Sequence, residues 1–322
     1  MRGEASLVVY QSEEIQVWVL TGPTASGKSG LGLDLAQRHD LEIVSADSMS
    51  VYKRMDIGTA KPTAEDRAKV PHHGLDLVEP WEDFDSSRYV QEADSAIASI
   101  LERGRRPLIL GGTPLYLMAL LRGFFEGPSK DVDLRRRLGQ EEDRSPGLLH
   151  ERLQGIDPEA AGRIHRNDRK RLIRALEVFE LTGQPISALQ TQFEQGPPRY
   201  LYRALALQRS RDELRDRVRL RCQAMFELGL VEEVREILSA GGFGSSAGAA
   251  IGYREVVDFL EGRLDAEELQ YRVRSNTHRL VRRQSTWFRG FPDLLAMDVV
   301  GGLREEDIAT AEDLLDLHRK ET

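Results

Sequence analysis

The stretch Gly22-Pro23-Thr24-Ala25-Ser26-Gly27-Lys28-Ser29 constrains this chain more than any other, because it fits the phosphate-loop pattern G-x-x-x-x-G-K-[ST]. Its flanks fit as well. Ile15 to Thr21 (IQVWVLT) is a short apolar run rich in β-branched and aromatic residues, the composition of a buried strand. Gly30 to Arg38 (GLGLDLAQR) reads as an amphipathic helix with Leu31, Leu35 and Ala36 on one side. A strand that feeds a glycine-rich turn and then a helix N-terminus is an anion site. Successive backbone N–H groups and the helix dipole converge on one point. Lys28 adds a mobile positive charge, and the Ser29 hydroxyl suits a Mg²⁺ that bridges phosphate oxygens. The loop leaves open whose phosphates it holds.

Leu41 to Ala46 (LEIVSA) reads as a second strand that ends on Asp47. An irregular polar segment follows, with a short third strand expected at Leu75 to Val78. Ser86 to Arg103 carries a 3.6-residue apolar period, with serines as its cap and Gly104 as its stop. Pro107 to Leu110 is a further buried strand, running into Gly111-Gly112-Thr113. Alternating strands and helices predict an α/β fold, a P-loop NTPase-like parallel sheet wound by helices. Ligands bind at the carboxyl ends of such strands, so the loop, Asp47 and Thr113 should share one crevice.

From Asp131 to about Gln195 the pattern is wholly helical. Its longest helix, NDRKRLIRALEVFELTG, can be capped by Asp168 or Asn167 and ended by Gly183. Tyr200 to Leu207 returns to strand character. Two long helices follow, about 210–239 and 265–286, with a glycine-rich link at Gly241 to Gly244, and Leu294 to Val300 reads as a late edge strand. The expected division is a loose extension over 1–14, a discontinuous catalytic core over 15–125 and 198–300, an all-helical insertion over 126–197, and a C-terminal helical tail over 301–322.

No apolar run approaches the roughly 20 residues of a membrane span, and the N-terminus is not a signal peptide. The single Cys222 excludes an internal disulfide framework and a cysteine metal cluster, which fits a reducing cytoplasm; its helical setting suits buried filler. A net charge of −8 argues against a general nucleic-acid binder, but the charge is segregated. Arg163 to Arg174 holds six Lys and Arg residues against one acid, and Arg272 to Arg289 holds six arginines and no acid. An acidic body with two basic stripes suits a polyanion held locally; the plain alternative is a pair of solvated helix faces.

Asp47 is the first polar side chain after the second strand. A carboxylate there can hold a metal through water or take a proton from a nucleophile. Thr113 offers a hydroxyl at the neighbouring strand end. Arg211, Arg215, Arg217, Arg219 and Arg221 lie on one helix that can present an arginine to a leaving phosphate. His72 and His73 form a loop pair without further ligands at metal spacing. These residues alone leave three readings: a small-molecule kinase, a transferase whose loop holds a diphosphate leaving group, and a nucleotide-switched RNA-binding module. The kinase leaves the basic helical insertion unexplained. The switch lacks a Walker B aspartate, since the apolar run that ends in an acid is the one ending at Asp47.

GPTASGKS (22–29), DSMSVYKRMDIGTAKPT (47–63), PHH (71–73), GGTPLY (111–116), NDRKRLIRALEVF (167–179), IGYRE (251–255) and RRQSTWFR (282–289) occur here in the order found in bacterial tRNA dimethylallyltransferases, which the chain resembles from about 15 to 290. The plant-type adenylate isopentenyltransferases share the first motifs but are less similar. The resemblance implies transfer of a dimethylallyl group from its diphosphate to N6 of the adenosine 3′ of the anticodon in tRNA. It implies Mg²⁺ as cofactor and a cytoplasmic monomer. Gly22 to Ser29 would hold the diphosphate, Ser29 the metal, and Asp47 would be the general base. Lys28 and Arg217 would stabilise the leaving group. Asp47, Ser48, Met49, Ser50, Thr113, Arg135, Lys170, Arg171, Leu172, Ile173 and Arg174 would contact the tRNA, with Ile251, Gly252, Tyr253 and Arg254 nearby. Ser50 stands where the family usually has Gln, and Pro114 where Gly or Met is common.

Overall fold

The computed structural model describes residues 16–123, 127–189, 197–291 and 293–318; the expected extension over 1–14 and the end of the insertion near Gln195 lie outside them. Contacts divide the chain into two units, Met1–Leu121 with Arg199–Thr322, and Arg122–Pro198.

The first unit is built on six strands: β1 (Val17–Thr21), β2 (Leu41–Ser45), β3 (His72–His73), β4 (Arg106–Leu110), β5 (Tyr202–Gln208) and β6 (Leu294–Asp298). They lie in the order β3-β2-β4-β1-β5-β6 with every pairing parallel. Parallel pairing needs a long crossover between strands, and helices supply it. The first are α1 (Lys28–Arg38), α2 (Ala64–Lys69), α3 (Ser86–Glu102) and α4 (Pro114–Arg122). The second unit holds α5 (Val132–Arg144), α6 (Leu148–Ile156), α7 (Pro158–Arg163), α8 (Arg169–Thr182) and α9 (Ile186–Leu189). The first unit resumes with α10 (Arg211–Glu227), α11 (Leu230–Ala240), α12 (Tyr253–Leu260), α13 (Ala266–Phe288) and α14 (Glu305–Leu315).

All five residues of β1 are buried, as a strand covered on both faces requires. Leu31, Leu35 and Ala36 of α1 pack against it with Trp18, Leu20 and Leu205. On α3, Tyr89 stacks on Tyr116 of α4 at 3.9 Å between ring centres. Pro114 opens α4, where its missing N–H costs no helix bond.

Four expectations are corrected. The third strand is His72–His73, not Leu75 to Val78; the latter reaches only an isolated bridge between Val78 and Tyr52. The stretch 210–239 is two helices, because Gly229 takes φ +99° and turns the chain. The cap of α3 is Asp85 rather than a serine, its side chain accepting from Ser87 and Arg88 N–H. The segment expected as a tail contributes to the main core: Ile308, Ala311, Leu315 and Leu317 are buried, and Trp18 Nε1 donates to the Leu315 carbonyl at 2.8 Å.

The helical unit closes over Leu134, Leu138, Leu149, Leu153, Leu172 and Leu176. Asp168 caps α8, accepting from the Arg171 N–H, and Gly183 ends it at φ +71°. Glu177, on the inner face of α8, is fully buried. It accepts from Asp131 N–H at 2.9 Å, from Arg135 Nε and Nη2 at 2.7 Å each, and from Arg174 Nη1 at 2.6 Å. Burial alone would raise its pKa, but the two arginines and the Asp131 amide hold it below the usual carboxylate range.

Removing a buried carboxylate leaves its cations unpaired. Glu177→Leu should therefore loosen the helical unit by roughly 2–3 kcal/mol, read as faster hydrogen exchange over 169–182. Unchanged protection there would show that the clamp is dispensable.

Candidate active site

The sheet order places β1 between β4 and β5, and the loops after β1, β2, β4 and β5 meet at one end. In the phosphate loop Gly22 has φ +142°, Ala25 +69° and Gly27 +99°, so the chain doubles back and its amides face inward. A side chain at Gly22 would strike the Leu207 carbonyl at 2.8 Å. A side chain at Gly111 would strike the Ala46 carbonyl at 2.2 Å, which shows how tightly the ends of β2 and β4 are pressed together.

Arginines from the chain after β5 secure the loop from outside. Arg217 Nε donates to the Ala25 carbonyl at 2.7 Å, and Arg209 Nε to the Ser26 carbonyl at 2.6 Å. Arg209 also donates to the Gly301 carbonyl at 2.7 Å and pairs with Glu213. Its side chain is fully buried, yet Nη2 has no partner among the described residues. That nitrogen lies 3.4 Å from where a Gly27 side chain would begin, with Arg217 Nη2 at 3.6 Å from the same point. Burial, followed by the repulsion of Arg209, weakens the hold of Arg217 on its proton. The Ser26 hydroxyl is likewise buried without a partner among the described residues. Arg221 donates to the Thr59 carbonyl at 3.1 Å; burial lowers its pKa, and the charge of Asp47 opposes that shift. Lys28 is pushed down to about 8, first by burial, with Asp47 opposing and Arg221 reinforcing.

Asp47 stands half-buried at the end of β2, its Oδ1 accepting from the Met49 N–H at 2.8 Å. Thr113 Oγ1 accepts from the Ser48 N–H at 2.9 Å, and its own N–H donates to the Ala46 carbonyl at 3.1 Å. Gln284 of α13 joins the other two strand ends. Its Oε1 accepts from the Thr24 N–H at 2.9 Å, and its Nε2 donates to the Gly112 carbonyl at 2.7 Å.

The remaining expected residues divide between the units. Ser50 is buried, and so are Gly252 and Tyr253. The Tyr253 hydroxyl donates to Glu233 at 2.6 Å, and the same carboxylate accepts from the N–H groups of Asp56, Ile57 and Gly58. Tyr253 thus pins the DIGTAKPT segment. Arg254 is exposed and pairs with Glu255 at 2.8 Å, and Ile251 is half-buried. In the helical unit, Lys170 and Arg171 are exposed and Leu172 is buried; Ile173 is half-buried, while Arg135 and Arg174 are drawn to Glu177.

Sequence reasoning gave no role to Arg209 or Gln284. Arg209 directly follows β5, and that strand-end position is a signal it could have used. Behind the loop a cavity of about 620 Å³ is walled by Leu207, Leu214, Val281 and Phe288 and rimmed by Arg211, Arg282 and Arg289. Burial, and then Arg215, Arg274 and Arg282, lower the pKa of His278 at this cavity.

Among known families, residues 50–291 match IPP transferase and residues 15–72 match isopentenyl transferase. The chain belongs to the IPP transferase family. Relatives in this family include tRNA dimethylallyltransferase 1 of Citrifermentans bemidjiense, 45% identical over 90% of this chain and 94% of that one. The tRNA dimethylallyltransferase of Thermotoga neapolitana is 42% identical over 92% of this chain and 97% of its own. A solved full-length tRNA isopentenylpyrophosphate transferase from Bacillus halodurans superposes with a TM-score of 0.70 at 36% identity, covering 94% of this chain and 96% of that one. A eukaryotic dimethylallyltransferase solved acting on tRNA gives 0.71 at 28% identity, covering 88% and 73%. The sheet of this family member is the P-loop NTPase-like core that its sequence predicts.

Unfolding returns Lys28 from about 8 to its ordinary value of 10.5. Between these values the unfolded chain holds more protons than the folded one, so Lys28 makes stability rise with pH across that window. Lys28→Met should remove this part of the rise, measured as the change in urea midpoint between about pH 8 and about pH 10. Equal changes in parent and variant would refute the depressed value.

Proposed function

We propose that this chain transfers a dimethylallyl group from dimethylallyl diphosphate to N6 of the adenosine 3′ of the anticodon in tRNA, releasing diphosphate. The observation that carries the reading is the set of cations at the loop, buried Arg209 with half-buried Lys28, Arg217 and Arg221, gathered beside the Asp47 carboxylate at the end of β2. Such a site suits a polyanion that must leave with a full charge. The relatives' names supply the prenyl group and the tRNA.

Gly22 to Ser29 cradle the diphosphate through backbone N–H groups. Arg217 and the unpartnered Nη2 of Arg209 close on it from the side of Gly27, and each guanidinium relieves its repulsion from the other by meeting negative charge. The exocyclic amine attacks C1 of the dimethylallyl group. The carbon–oxygen bond breaks, the electron pair leaves with the diphosphate, and the amine proton passes to Asp47. The Met49 N–H holds one Asp47 oxygen, which aims the other. The exposed Ser29 hydroxyl is a hard oxygen donor of the kind Mg²⁺ takes, and it would hold the ion at the loop. Bound there, Mg²⁺ would neutralise developing charge on the leaving group.

The adenosine must leave its stack to reach this crevice. Ser48 and Thr113 would receive it, with Ser50, buried and short, acting through water where the family usually has Gln. Lys170, Arg171 and Arg254 would face phosphates. Arg135 and Arg174, held by Glu177, would present fixed faces. RNA is read in splayed single-stranded loops, which suits the helical unit as anticodon clamp. The single Cys222, buried beside Thr277, suits a reducing cytoplasm.

Asp47→Asn should lower transfer of labelled dimethylallyl to tRNA by about 10²-fold or more while leaving tRNA affinity within a few-fold. Full activity in that variant would remove Asp47 as the base, and label entering AMP but not tRNA would shift the reading to an adenylate prenyltransferase. Replacing Lys170 and Arg171 together should reduce the salt slope of tRNA binding by roughly 1.5, the share of two phosphate contacts. An unchanged slope would move the RNA away from α8.

A further inference from the structure

The RRQSTWFR stretch (282–289), the end of α13 and the residue after it, carries three exposed arginines, Arg282, Arg283 and Arg289, and one buried amide, Gln284. Gln284 is 6% exposed, and both ends of its amide are used. One end takes the Thr24 N–H of the phosphate loop after β1. The other donates to the Gly112 carbonyl after β4. The next residue, Thr113, receives the Ser48 N–H, and Ser48 follows Asp47. A continuous line of bonds therefore runs from the diphosphate cradle through Gln284, Gly112 and Thr113 to the strand end that carries the base. Lys28 Nζ lies within the same cluster, 3.3 Å from where a Gly112 side chain would begin, with Gln284 Nε2 at 3.0 Å.

The strand ends are also tied directly, Thr21 Oγ1 donating to the Gly111 carbonyl at 2.7 Å and the Ala46 N–H to the Leu110 carbonyl at 2.9 Å, and Gln284 ties the phosphate loop itself to that frame. A phosphate loop spends its inward amides on ligand, and Thr24 N–H is withdrawn from that duty by an oxygen on a helix residue 260 positions away. We propose that Gln284 is a positioning residue that sets the distance between the bound diphosphate and Asp47, and so between C1 of the prenyl group and the attacking amine. It touches neither substrate. Misplacement of reacting groups by about 1 Å can cost about 10²-fold in rate without loss of binding. This inference rests on the proposed prenyl transfer and adds the residue that aligns its two halves.

The test uses Gln284→Met, which keeps the length and removes both bonds, and Gln284→Glu, which keeps the acceptor for Thr24 and loses the donor for Gly112. Single-turnover transfer to tRNA is measured with both substrates saturating, and affinities for donor and tRNA are measured separately. Transfer should fall roughly 30-fold or more in both variants while both affinities stay within about three-fold. Combined with Thr113→Val, the next link, Gln284→Met should cost little more than the worse single change, because residues on one line do not act independently. Transfer within about three-fold of the parent, a matching loss of donor affinity, or full multiplication of the two single effects would each overturn the proposal. If Gln284→Met fails to fold, the Glu variant, which differs from the parent by one atom type, decides alone on the same criteria. A parent that binds both substrates and transfers nothing would refute the proposed function instead, independently of Gln284.

Discussion

Like charges repel, and the phosphate loop is ringed by them. Lys28, Arg209, Arg217 and Arg221 approach one short turn with Asp47 and Glu213 as the opposing acids. The fold tolerates this because the guanidinium groups are tied to backbone carbonyls, at Ala25, Ser26, Thr59 and Gly301, with a carboxylate, Glu213, paired to Arg209 alone of the three. A carbonyl takes up a hydrogen without cancelling the charge, so the positive potential is kept for an incoming ligand. The rest of the first unit can be understood as support for that arrangement. β5 delivers Arg209, α10 delivers Arg217 and Arg221, and the chain after β6 supplies the carbonyls that fix Arg209.

The phosphate loop, β1, β2, β4 and α1 were legible in the sequence because their signals are local. Apolar runs, glycine spacing and a helical period are all contained within a few residues of the feature they report. The misread elements share a different trait. His72–His73 is a strand only because β2 lies beside it, and nothing in two histidines announces an edge. The turn at Gly229 interrupts a helical period that continues on both sides, so periodicity passes over it. Arg209 and Gln284 were missed for the same reason at longer range. Their roles are defined by partners 183 and 260 residues away, and an arginine in an arginine-rich stretch looks like its neighbours.

Charge counted along the chain also overstates what reaches the surface. In the basic stripe that ends at Arg174, Arg169 is paired with Asp143 and Arg174 with Glu177. Arg171 is bonded to its own capping residue, Asp168, but stays exposed with Lys170. The stripe is thus part scaffold and part surface, and one of its acidic partners, Asp143, comes from another helix, α5. In α13 the division runs around the helix, with arginines outward and Gln284 inward.

The three amides of Asp56, Ile57 and Gly58 gathered by Glu233 have a consequence for how this protein can drift over time. The acid grips main chain, so the side chains of that turn are released from selection by this contact, while Glu233 itself is not. Gly58 is the exception, since any side chain there would begin 2.4 Å from the Tyr253 ring. Asp56 keeps a second tie, its carboxylate pairing with the buried Lys61 at 2.6 Å, while Gly58, Tyr253 and Glu233 should change together or not at all.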